Sequence, residues 1–144
     1  MAVLYLRPMA LHLIKLCVGV DRIEQLTQWG REERGKGRTP VVHTRMTPKR
    51  VAELLDGGSL YWVIKGVVQC RQRIVAIDTL EEGQRSRCEI TLDDEVVRTA
   101  PQRRGAFQGW RYYEGKDVTP DLGGWEAGEL PEGFAEELRA LGAW

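Results

Sequence analysis

The sequence predicts a single α+β domain built on a curved, mostly antiparallel sheet, or on a small barrel, flanked by two or three helices. Three observations carry that expectation. Two helix-start signals, at Asp21 and Thr47, alternate with short apolar runs in the first 60 residues. An almost continuous β-rich stretch then runs from Ser59 to Leu92, broken only at Gly66 and at Glu81-Glu82-Gly83-Gln84. The chain has 144 residues, the size of one domain, with 42% hydrophobic and 29% charged residues. That balance excludes a disordered chain, a collagen-like repeat and a membrane bundle.

Taken in order, residues 1–8 read as an N-terminal extension, and Met9 offers a second start. Ala10–Val18 is apolar and ends at Gly19, as a buried strand would. Lys15 interrupts the run and no small-residue cleavage site follows, so no signal peptide or membrane anchor is expected. Asp21 with Glu24 has capping-box spacing and opens a helix to about Glu33, whose apolar face is Ile23, Leu26 and Trp29. Gly35–Pro40 is a basic loop and Val41–Met46 a second strand. Thr47 followed by Pro48 reads as an N-cap and first helical residue, because proline there loses no useful N–H. Gly57-Gly58 ends that helix, since glycine accepts the left-handed C-cap conformation.

Ser59–Lys65 and Val67–Asp78 follow as strands, with Gly66 a bulge or a turn between them. Residues 81–84 make a hairpin tip and Ser86–Leu92 pairs back. Asp93–Arg98 is a further short strand or a turn. Gly105–Tyr113 is a dense run of glycine, aromatic and arginine residues. Pro131–Leu141 has the spacing of a short acidic helix. The division expected is a core over residues 9–113 and an acidic segment over 114–144 whose helix packs on the core.

Net charge is zero, from 21 basic and 21 acidic residues. The distribution is uneven. Residues 1–113 hold 19 basic against 13 acidic side chains, and residues 114–144 hold 2 against 8. Most of the positive charge is arginine, whose planar fork binds phosphate or carboxylate through two N–H groups at once. Cys17, Cys70 and Cys88 are widely spaced with no Cys-x-x-Cys pair, as for buried free thiols in a reducing cytoplasm.

Catalytic signatures are missing from the sequence. There is no nucleophile elbow, Walker loop, zincin helix or dinucleotide fingerprint, and no cofactor or metal is expected. Asp93-Asp94-Glu95 has the chemistry of a hard-cation ligand set but reads more simply as a polar turn. Basic clusters do stand out, at 31–38, 45–50, 71–73, 85–87 and 98–111, interleaved with Trp29, Tyr61, Trp62, Phe107, Trp110, Tyr112 and Tyr113. Arginines that follow phosphates beside rings that stack on unpaired bases are the ingredients of single-stranded nucleic-acid binding. The candidate binding residues are Arg45, Lys49, Arg50, Tyr61, Lys65, Arg71, Arg73, Trp110 and Arg111. Strand alternation sends Trp62 to the core and leaves Tyr61 and Lys65 exposed. Two rival readings stay open. One is a small enzyme acting on an anionic, nucleotide-like metabolite, with His43, Cys70 or an aspartate converging in a pocket. The other is a protein-interaction module that uses the acidic segment.

The runs Met9–Gly19, Leu54–Gly66 and Phe107–Tyr112 resemble an uncharacterised bacterial family, the domain of unknown function 1489. The resemblance covers nearly the whole chain from Met9 and implies a bacterial cytoplasmic protein. Thr47–Lys65, a capped helix running through glycine into a strand, is more weakly similar to the PUA-like superfamily and its ASCH and EVE branches. That similarity implies a small barrel and a cleft for RNA or modified bases beside the helix. Gly58-Ser59-Leu60 lacks the lysine of the ASCH Gly-x-Lys pattern and no Glu-x-Arg follows, so no catalytic residue is carried over.

Overall fold

A computed structural model describes residues 10–122. The acidic helix expected at 131–141 and the extension at 1–8 lie outside the described residues. The strands are β1 (His12–Leu16), β2 (Val41–Thr44), β3 (Ser59–Ile64), β4 (Val67–Glu82), β5 (Arg85–Leu92), β6 (Val97–Arg103) and β7 (Trp110–Tyr113). The helices are α1 (Ile23–Gly35) and α2 (Val51–Leu55). The strands run β2-β5-β4-β3-β1-β7, with β6 also paired to β4. Only β1 and β3 pair in parallel among the described strands, and the α1-β2-α2 crossover joins them. An α+β domain is therefore present, but the sheet does not close into a barrel.

β4 sets the shape. Its first half pairs with β3 and β6, and from Ile74 onward it pairs with β5. The register slips between Ile74 and Ala76, where the strand passes from one partner to the other. An extra residue there bends the strand and adds twist. The β3–β4 connection is a two-residue turn, with Lys65 at φ 52° and Gly66 at φ 77°. Two positive φ values match the right-handed twist of a tight hairpin, which is why glycine stands there.

Every residue of β3 is buried, because both faces of the central sheet are covered. On one face Leu13, Leu60, Trp62, Ile64 and Cys70 meet Ile23 and Leu26 of α1, Leu54 of α2 and Ile90 of β5. On the other, Ile14, Tyr61, Val63, Val68 and Tyr113 pack with Phe107 and Val118. Polar groups inside bond one another in chains, with the Thr99 hydroxyl the exception among the described residues. The Trp62 indole donates to Gln72 at 2.8 Å, and Gln72 donates to the Asp93 carbonyl at 3.0 Å. His12 Nδ1 accepts from the Ser59 backbone N–H at 2.9 Å. Each bond matters because a buried polar group without a partner costs about 1–3 kcal/mol.

Both helix starts differ from the sequence expectation. α1 is capped one residue later: Gln25 Oε1 accepts from the Asp21 and Arg22 backbone N–H groups at 2.6 and 2.9 Å. Glu24 instead accepts from Arg98 at 3.1 Å. α2 begins at Val51, so Thr47 and Pro48 do not start it. The Thr47 hydroxyl bonds that of Thr79 at 3.0 Å, and Pro48 is buried. Asp93 and Asp94 form a turn, with Asp93 accepting from the Glu95 backbone and Asp94 ion-paired to Arg34.

Candidate functional site: an arginine cleft beside a clamped loop

The β4–β5 hairpin and the end of β2 form an open three-stranded face. Cross-strand pairs place His43 opposite Glu89, Thr44 opposite Cys88, Leu80 opposite Arg87 and Glu82 opposite Arg85. Side chains alternate across a strand, so Arg85, Arg87 and Glu89 share the outer face with His43 and Arg45, while Cys88 points to the core. Arg45 follows β2 directly, and the chain bends there. His43, Arg45, Glu82, Arg85 and Arg87 line an open cleft of ≈ 600 Å³.

Its electrostatics are one-sided. Three guanidinium groups face one lining carboxylate, Glu82, which pairs with Arg87 at 2.9 Å. Both partners are about half exposed, and such a pair contributes about 0–1 kcal/mol, so a ligand can displace it. Arg45 and Arg85 have no ion-pair partner among the described residues. His43 Nε2 lies 2.9 Å from Glu89 Oε2 at the margin of the cleft. His43 and Cys88 project from opposite faces, and Cys70 is fully buried with its thiol pushed up to about 12 by desolvation. Histidine and thiol therefore do not converge here.

Residues 46–50, which leave the cleft, are clamped by β7. The Trp110 indole donates to the Met46 carbonyl at 2.8 Å. The Tyr112 hydroxyl accepts from the Lys49 and Arg50 backbone N–H groups at 3.1 and 3.3 Å. The two rings meet edge to face at 4.9 Å, and the Arg50 guanidinium sits 5.4 Å from the Tyr112 centroid. Contacts of this kind contribute about 0.5–1 kcal/mol each at exposed sites. Arg50 also pairs with Glu53 at 2.6 Å and holds that carboxyl below its usual range.

A second basic group lies beyond Trp110. The guanidinium groups of Arg104 and Arg111 lie 5.5 and 5.3 Å from the Phe107 centroid. Arg111 also donates to the Gln108 and Trp110 carbonyls at 2.7 and 3.0 Å. Arg104 donates its backbone N–H to Gly66 at 2.9 Å, which sets the exposed Lys65 beside it.

The nine residues singled out from sequence therefore separate. Arg45 lies in the cleft, Lys49 and Arg50 on the clamped loop, and Arg111 and Lys65 in the second group. Arg73 is exposed on β4 opposite Ser59. Trp110 is half-buried against the core. Two expectations are corrected. Tyr61 is only 3% exposed, edge to face with His12 and Tyr113. Arg71 is only 7% exposed, with two bonds to the Asp121 carboxylate at 2.8 and 2.7 Å and one to Ser59 Oγ at 2.9 Å. Both are buried because residues 118–122 lie against the second sheet face: Thr99 bridges to Asp121, and Thr119 donates to Tyr113 and to the Ala100 carbonyl. Arg85 and Arg87 were absent from the nine. Their spacing of two on the hairpin arm was the available signal, since it puts both on one face.

Among the described residues no helix is long and apolar enough to cross a membrane. Among the same residues no group of three or more His, Cys, Asp or Glu side chains is placed to hold a metal ion. No curated protein and no solved structure matches the chain. A family model does match, over residues 13–144, and its description is a protein of unknown function (DUF1489). That match takes in both basic groups and every described strand but the first residue of β1, and the chain belongs to this family.

Proposed function

We propose that the domain binds single-stranded RNA by its phosphates, in the cleft formed by Arg45, Arg85 and Arg87. The observation that carries the reading is the charge of that cleft: three arginines on neighbouring strands, two of them without a carboxylate partner among the described residues. Guanidinium forks suit phosphate oxygens, and strand register brings the three forks to one open face. The aromatic rings take a different part from the one the sequence suggested. Tyr61 and Trp62 are core, and Trp110 and Tyr112 hold the adjoining loop, so the one ring that lines the cleft among the described residues is the His43 imidazole, beside Glu89. Recognition then rests on the backbone, and base preference is weak.

Titrating the protein into fluorescein-labelled single-stranded RNA, with anisotropy as the readout, tests this. Each phosphate contact contributes about −0.7 to the slope of log K against log salt, so the three contacts of the cleft contribute about −2 to it. Arg45→Gln with Arg85→Gln reduces that slope by about 1.4. Absence of binding at low salt, or a slope unchanged in the double variant, contradicts the proposal.

A further inference from the structure

The Arg104–Phe107–Arg111 group is cationic, with no counter-ion among the described residues. Two guanidinium groups rest against one ring, and the exposed Lys65 adjoins them through the Gly66–Arg104 bond. None of these three cations has an ion-pair partner among the described residues. Packing like charges together disfavours folding unless something offsets it. The ring offsets part of it and fixes two forks in place. Arg111 has two of its N–H directions committed to carbonyls, and Arg104 has no side-chain bond among the described residues.

This group is linked to the cleft through one side chain. Trp110 precedes Arg111, and its indole bonds the carbonyl of Met46, the residue after Arg45. β7 ends the strand order, so no strand covers its outer edge among the described residues. Resting on the RNA-binding reading above, we infer that this group is a second phosphate site for the same strand. The RNA lies with one stretch of phosphates in the Arg45–Arg85–Arg87 cleft, passes the β7 edge, and places a second stretch on Arg104 and Arg111.

The test compares wild type, Arg45→Gln/Arg85→Gln and Arg104→Gln/Arg111→Gln, using a long oligouridine and a uridine monophosphate competitor. Circular dichroism and urea midpoints check that each variant folds. The expected result is that each double variant lowers the salt slope by about 1.4 and that the monophosphate competes poorly. A slope lowered only by the cleft variant overturns the second site and leaves the proposed function standing. A slope lowered only by the Arg104/Arg111 variant overturns the cleft reading and the shared path with it. Wild-type protein that does not bind overturns both.

Discussion

Replacing Gly58 with alanine would set a methyl carbon 2.3 Å from the Leu54 carbonyl oxygen and 2.4 Å from the Leu11 carbonyl oxygen. Neither neighbour is a side-chain tip that can swing away. The Leu54 oxygen also accepts the Gly58 N–H at 2.9 Å, which closes the end of α2. The Gly58 carbonyl accepts from Ile74 at 3.0 Å, at the bend of β4. Relieving the clash means moving α2 or the start of β1 away from β3, which opens the core around Leu54, Leu11 and Leu60. Overpacking costs about 1–3 kcal/mol, and each of the two strained hydrogen bonds adds about 1 kcal/mol. The expected loss is thus about 3–5 kcal/mol, a large share of a domain's 5–15 kcal/mol. Gly57 is the control. Its φ is +87° and nothing lies within 4 Å of an added methyl group, so Gly57→Ala costs only the left-handed penalty of about 1–2 kcal/mol. Urea unfolding of both variants, followed by Trp fluorescence, gives the two numbers. A Gly58→Ala protein no less stable than Gly57→Ala refutes the reasoning.

Three further outcomes follow from named contacts. Asp121→Ala strands the Arg71 cation inside the second face and destabilises by about 2–3 kcal/mol, below the usual cost of a buried pair because Asp121 is 31% exposed. Arg71→Met costs less, since the Asp121 carboxylate can turn to water; thermal melts reversing that order contradict the account. Tyr112→Phe removes the acceptor for two backbone N–H groups, costs about 1 kcal/mol, and speeds hydrogen exchange at Lys49 and Arg50 while leaving β4 amides unchanged. Burial pushes the Cys17 and Cys70 thiols up to about 12, so both stay protonated at pH 8. Iodoacetamide then labels them slowly in the native protein and rapidly in urea, as mass spectrometry reads, and prompt native labelling of Cys70 counts against the packing.

Local chemistry was legible in the sequence where it acts alone. The Gly83 hairpin tip and the burial of Trp62 follow from spacing and residue type, and Gly66, a bulge or a turn by sequence, is the second residue of a turn that begins at Lys65. The misses share one cause, contacts from distant parts of the chain. Thr47-Pro48 has an ideal helix-start signal, but Trp110 and Tyr112 hold residues 46–50 in another conformation until Val51. Asp21 and Glu24 have the spacing of a cap, and so do Arg22 and Gln25; Arg98, 74 residues away, takes Glu24 and decides the choice. Alternation puts Tyr61 outside only if one sheet face is wet, whereas residues 107–122 cover that face too. Gly57-Gly58 reads as a helix end, and Gly57 is the left-handed residue just after the Asp56 cap; Gly58 serves close approach of three backbones. The same limit applies to the site. Composition showed that arginines abound, but only strand register brings Arg45 to Arg85 and Arg87.

The guanidinium groups of those three residues can be watched directly. In an NMR titration of the folded protein with single-stranded RNA, the Nε–Hε resonances of Arg45, Arg85 and Arg87 are predicted to shift together, saturably, and to return as salt is raised. Resonances that stay fixed while RNA binds elsewhere, or a titration in which nothing moves at low salt, contradict the claim that this cleft is a phosphate site.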